Sequence, residues 1–145
     1  MAFRSALKPV LSVREIIEKR EEVALKRAQL EVTRVRRRIE ELTDELAKAN
    51  LERDQALLKS VQANRLQSMQ GEINAANETK QLLNDTLKTL KSQRDTQMKV
   101  YTTAHSGRRM LSEFLAQQKN QYEQEQTKVQ QKRLDDIVAT RWQRN

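Results

Sequence analysis

The sequence predicts an all-α chain folded as a long antiparallel two-helix coiled coil, and three observations predict it. Pro9, Gly71 and Gly107 are the one proline and two glycines in 145 residues, so little interrupts the backbone as it runs on in helix. The remaining composition favours Ala, Leu, Glu, Gln, Lys and Arg, the strong helix formers. Apolar residues recur at spacings of three, four and seven, the period that knobs-into-holes packing requires. Charged residues make up 33% and aromatic residues 3%, a mixture that solvates long helices but cannot fill a globular core. Low mean hydropathy with high charge is also the mark of disorder. The helical period and the lack of Pro and Ser runs separate this chain from that class. The expectation is a single coiled-coil rod over residues 1–145, and rods act by contact.

The first helix is expected over residues 12–59. Ser12-Val13-Arg14-Glu15 fits a capping box, and Leu11 and Ile16 then stand at the positions of a hydrophobic staple. A seam follows through Val13, Ile17, Ala24, Ala28, Val35, Ile39, Leu42, Leu46 and Ala49. Acid-before-base pairs four apart, Glu15–Lys19 and Glu22–Lys26, add roughly 0.2–0.5 kcal/mol each to the helix. The reversal is expected at residues 60–63, because Asn64-x-x-Gln67 resembles a second capping box. Gly71, which reaches positive φ without strain, is the alternative turn.

The second helix is expected over residues 64–142 and is the longer of the two. Its seam runs through Leu66, Met69, Ile73, Ala76, Leu83, Leu87, Leu90, Tyr101, Ala104, Leu111, Leu115, Tyr122 and Val129. It turns polar at Arg94, Gln97, Gln118 and Glu125, and Ser106-Gly107 marks a kink. At 1.5 Å per residue the helices span about 72 and about 118 Å, so about 30 residues of the second project past the first. That overhang carries an open-end apolar stripe of Leu115, Tyr122, Val129, Leu134, Ile137 and Val138, followed by Trp142. An apolar face without an in-chain partner calls for docking into another protein. Packing by the first eleven residues through Phe3 and Leu7, or self-association, are the alternatives.

The net charge of +8 divides evenly along the chain. Residues 1–70 carry 15 basic and 11 acidic groups, and residues 71–145 carry 13 and 9. A moderately basic rod can meet acidic protein, anionic lipid or nucleic acid, and charge alone does not choose among them. Cysteine is absent, which removes disulfides and thiol chemistry. No stretch approaches the ~20 apolar residues of a membrane span, and the start is too charged for a signal peptide, so the cytoplasm is the expected compartment.

Catalytic chemistry finds no foothold in the sequence, and no enzyme activity is expected. His105, the one histidine, stands beside Ser106-Gly107 with no acid partner in register on its own helix, and reads as solvent-facing. No glycine loop cradles a phosphate, and adjacent carboxylates such as Asp135-Asp136 point apart on a helix, so neither cofactor nor metal is expected. Arg34-Val35-Arg36-Arg37-Arg38 is the strongest electrostatic feature, read as a solvated face or a docking patch for an acidic partner. Nucleic acid is disfavoured because no aromatics are interleaved for stacking.

Two stretches carry a resemblance. Phe3-x-x-x-Leu7-x-x-Val10-Leu11-x-x-Arg14-Glu15 resembles the opening of the flagellar export protein FliJ family. The closing segment of that family is similar to Arg108-Arg109-x-Leu111-x-x-Phe114-Leu115, Tyr122, and Gln131-Lys132-x-Leu134-Asp135-Asp136-Ile137-Val138-x-x-Arg141. The resemblance implies a non-enzymatic stalk or adaptor of the flagellar type III export apparatus. Its partners would be the export ATPase hexamer, whose ring receives the paired ends, the export gate membrane protein, reached by the turn side, and export chaperones. It implies a cytoplasmic protein held peripherally at the inner membrane through that apparatus, without nucleic acid or direct membrane insertion. A generic coiled-coil chaperone and the stalk of an injectisome are the alternatives. On this reading Arg14, Lys19, Arg20, Lys132, Arg133, Arg141 and Trp142 are expected at the ATPase ring. Leu51, Leu58, Leu66, Met69 and Ile73 are expected at the gate. The chain departs from the family pattern at Leu82-Leu83, where many relatives carry an aromatic, and at Ser106-Gly107.

Overall fold

The computed structural model describes residues 2–144. It contains two helices, α1 (Lys8–Leu58) and α2 (Ala63–Arg144), and no strand among the described residues. The fold is the all-α antiparallel hairpin the composition predicts, with α2, at 82 residues, longer than α1, at 51. By contacts the chain divides into two units. One is Glu21–Tyr101; the other joins the residues up to Arg20 with those from Thr102 onward.

Helix α1 starts four residues before Ser12, and the capping group is Ser5. Its Oγ accepts from the Leu7 amide at 3.2 Å and its carbonyl from Lys8 at 3.3 Å. Pro9 falls in the first turn, where a missing N–H costs nothing, so it helps to start the helix. Ser12 lies inside α1 and donates its hydroxyl back to the Lys8 carbonyl at 3.3 Å. No staple forms, since Ile16 is 67% exposed.

The reversal is a Schellman-type end. Ser60 takes φ 55°, a left-handed conformation rare outside glycine, and the Val61 amide reaches the Ala56 carbonyl at 3.4 Å. That turn consumes the chain as far as Val61, so the Gln62 carbonyl opens α2 by accepting from Arg65 and Leu66. Asn64 and Gln67 therefore lie inside α2, as its second and fifth residues. Gly71 is helical and has no positive φ, so no reversal occurs there. Helix α2 also runs unbroken through Ser106-Gly107.

Within Glu21–Tyr101 the core is a single row. Leu25, Val32, Leu42, Leu46 and Ile73 are buried, and Ala49, Ala76 and Leu83 pack against the cluster of Leu42, Leu46 and Ile73. The α1 seam repeats strictly by threes and fours through Leu25, Ala28, Val32, Val35, Ile39, Leu42, Leu46 and Ala49. This corrects the expected beginning of the seam, because Val13 and Ile17 are exposed while Leu25 and Val32 are buried. Extended upstream, the same repeat places Glu21 and Glu18 at seam positions. Carboxylates there disguised the true register in the sequence.

Ile73, expected at the gate contact, is a core residue at 3% exposure, and cannot present a surface to a partner. Leu51 and Leu58 are exposed, whereas Leu66 and Met69 are half-buried. Near the turn Arg53 spans the two helices, donating from Nη1 to Gln70 Oε1 at 2.9 Å.

Candidate functional site

The unit formed by both chain ends holds most of the residues expected to make contacts. Leu115 is buried within it, and Phe3 packs on Tyr122 with ring centroids 5.6 Å apart, tilted by 49°. Lys8 Nζ lies 5.9 Å from the Phe3 ring centre, within cation–π range. The segment before α1 thus covers part of the expected overhang. Leu115 and Tyr122 accordingly leave the open-end stripe, because the chain supplies their partners.

Glu18 is the hub of this unit. Arg108 Nε donates to Glu18 Oε2 at 2.5 Å, and His105 Nδ1 lies 3.2 Å from Glu18 Oε1. The hydrogen bond from Arg108, with a smaller contribution from that of His105, holds the Glu18 carboxyl below its ordinary value of 4.5. His105 is therefore a bridging residue between helices, not the solvent-facing side chain its own helix implied. Its acid comes from α1, 87 residues away in the chain, where no local motif could reveal it. A parallel case within Glu21–Tyr101 joins Gln97 Nε2 to Glu21 Oε2 at 2.5 Å and to the Glu21 carbonyl at 3.3 Å. Gln97, a polar seam position on α2, is thus answered by Glu21, a polar seam position on α1.

Gly107 permits a close approach. A Cβ there would stand 2.6 Å from Arg14 Nη1, so the missing side chain makes room for the guanidinium against α2. Leu7, Val10, Arg14, Gly107, Met110 and Phe114 line an open groove of about 730 Å³. Met110 is 71% exposed.

Beyond Tyr122, every described residue of α2 is exposed. The apolar residues of this segment separate by face. At 3.6 residues per turn, Leu134, Ile137, Val138 and Trp142 share about 140° of arc, with Arg141 among them. Val129 lies on the other side, where it prolongs the hairpin seam among Glu125, Lys132 and Asp136. The side chains of Trp142 and Leu134 are open to solvent, at 81% and 62% exposure.

The residues expected at the ATPase ring are all exposed and all belong to this unit. They form two separate groups. Arg14 lies over Gly107, whereas Lys132 is 25 residues farther along α2, about 37 Å at 1.5 Å per residue. Of the second group, Arg141 and Trp142 share the apolar face, while Lys132 and Arg133 lie off it.

No group of three or more His, Cys, Asp or Glu side chains among the described residues could hold a metal ion. No helix among them is long and apolar enough to cross a membrane. No curated protein and no solved structure gives a significant match. A family model does match, the flagellar FliJ protein, over residues 3–145 and thus over both helices and the reversal. The chain belongs to the flagellar FliJ protein family.

Proposed function

We propose that this flagellar export component acts by contact, as a stalk or adaptor that binds the export ATPase ring through its open end and the export gate through its turn. The observation that carries the reading is the bare end of α2. Leu134, Ile137, Val138 and Trp142 form an exposed apolar face on a helix without an in-chain partner, with Arg141 inside it. Such a face gains by entering a groove on a second protein. Lys132 and Arg133 would meet the ring from the opposite side of the helix. Arg14, Lys19 and Arg20 would make a separate contact nearer the start of α1. The protein would work in the cytoplasm, peripheral to the inner membrane, and export chaperones would be further partners.

At the turn, exposed Leu51 and Leu58 with half-buried Leu66 and Met69 support a gate contact. Leu58, at 87% exposure, is its best anchor.

The test is ATP hydrolysis by the cognate export ATPase with and without this chain. Removal of residues 123–145 spares Leu115 and the Phe3–Tyr122 contact, so the rest of the fold stays intact. The full chain is expected to raise the rate, and both the truncation and a Leu134→Ser/Trp142→Ser variant to abolish the rise. Equal stimulation by all three proteins would sink the open-end contact.

A further inference from the structure

Antiparallel pairing within Glu21–Tyr101 gathers charge that the order of the chain hides. Residues 26–38 of α1 carry Lys26, Arg27, Arg34 and Arg36-Arg37-Arg38 against Glu31 alone. The pairing sets them level with about residues 83–94 of α2, as the Glu21–Gln97 and Arg53–Gln70 hydrogen bonds on either side require. That stretch adds Lys88, Lys91 and Arg94 against Asp85. Most of the molecule's excess positive charge therefore lies in one band about 20 Å long.

The band has a definite face. At 3.6 residues per turn, Lys26, Arg27, Arg34, Arg37 and Arg38 fall within about 120° of arc on the side of α1 opposite Leu25 and Val32. Val23 and Leu30, seven residues apart on that same side, are 39% and 49% exposed. A short second apolar line is thus flanked by cations, as the e and g positions of a coiled coil flank its seam. Lys26 pairs with Glu22 at 3.0 Å, Arg34 with Glu31 at 3.1 Å and Arg38 with Glu41 at 3.5 Å. Exposed pairs of this kind contribute little and exchange readily for a better anion.

We propose that the outer face of α1 from Val23 to Arg38 docks an acidic amphipathic helix of a partner protein. The partner's apolar residues would lie on Val23 and Leu30, and its Asp and Glu side chains would meet the flanking arginines. A polynucleotide fits less well, because no aromatic side chain lies in this stretch of α1 to stack a base. A lipid surface fits less well too, because two aliphatic residues without an aromatic anchor bury little in a bilayer interface. None of its residues belongs to the open end or the turn invoked above.

The test uses the full chain and a labelled helical peptide of about 21 residues with leucines at helical spacing and glutamates beside them. A peptide with the same leucines and lysine in place of glutamate is the control. A single-stranded oligonucleotide and phosphatidylserine vesicles form the competing arms. The glutamate peptide is expected to bind, more tightly at low salt, and Arg27→Glu/Arg34→Glu/Arg37→Glu to weaken it about tenfold or more. Leu30→Ser should weaken it severalfold, and Lys128→Glu should leave it unchanged. The triple glutamine variant, with far-UV circular dichroism on every protein, separates a lost contact from a lost fold. Equal binding of the lysine peptide, indifference to both triple variants, or tighter binding of the oligonucleotide or the vesicles would overturn the proposal.

Discussion

Two helical stretches behave differently in this molecule. Within Glu21–Tyr101 each helix has a neighbour, and Leu42, Leu46 and Ile73 are buried between them at 3–6% exposure. Beyond Tyr122, α2 continues with equally regular helix and buries nothing among its described residues. An isolated helix in water is marginal because its first turn is costly to nucleate. Here the packed part of α2 has already supplied the nucleus, and the end needs only propagation by good helix formers. Regular helix is therefore no measure of local stability. The free end is a place where a partner can add packing without first displacing an in-chain contact.

The largest expected effect breaks this contrast directly. Leu42→Ala should destabilise the chain by about 2–4 kcal/mol, as loss of a buried leucine does elsewhere. Leu134→Ala on the free end should stay within about 0.5 kcal/mol. Urea denaturation followed by circular dichroism compares them, and equal costs would mean that the end of α2 is covered in the free protein.

An intermediate effect belongs to the polar seam. Glu18→Gln keeps the shape of the side chain and removes its charge, which should cost about 1 kcal/mol at neutral pH, with allowance for partial exposure. Because the folded carboxyl titrates below its ordinary 4.5, its stabilisation is present above that value and is lost as pH falls below it. The gap between wild type and Glu18→Gln should therefore narrow on acidification. Melts at several pH values check this, and a gap that widened in acid would contradict the assigned hydrogen bonds.

The smallest effects sharpen the comparison at the backbone. Gly71 is helical with open space where a Cβ would stand, so Gly71→Ala should stabilise by about 0.5–1 kcal/mol. Ser60 sits at φ 55°, and Ser60→Gly should relieve strain for a gain of about 0.5–1 kcal/mol. Thermal melts of the two variants test whether Ser60 alone carries the reversal. A loss of stability in Gly71→Ala would show that position 71 does more than prolong a helix.

Much of this was legible in the residues. The scarcity of Pro and Gly, with an apolar period of threes and fours, fixes two helices and their antiparallel return, because helix propensity and seam spacing are local properties of the chain. The bare face around Leu134 and Trp142 was legible too, since it follows from unequal helix lengths. Local signals misled where a side chain's role depended on the other helix. Ser12 has the pattern of a cap yet lies inside α1, because Ser5 and Pro9 start the helix earlier. Glu18 and Glu21 have the pattern of solvent residues yet occupy the seam, because Arg108, His105 and Gln97 come to meet them. Ile73 was assigned to a contact surface and is core, because its level on α2 is that of Leu42 and Leu46. The even charge of the two chain halves becomes a basic band for the same reason. Sequence order determines which residues are near along a helix, and only the pairing of two helices decides which charges and which apolar side chains share a place in space.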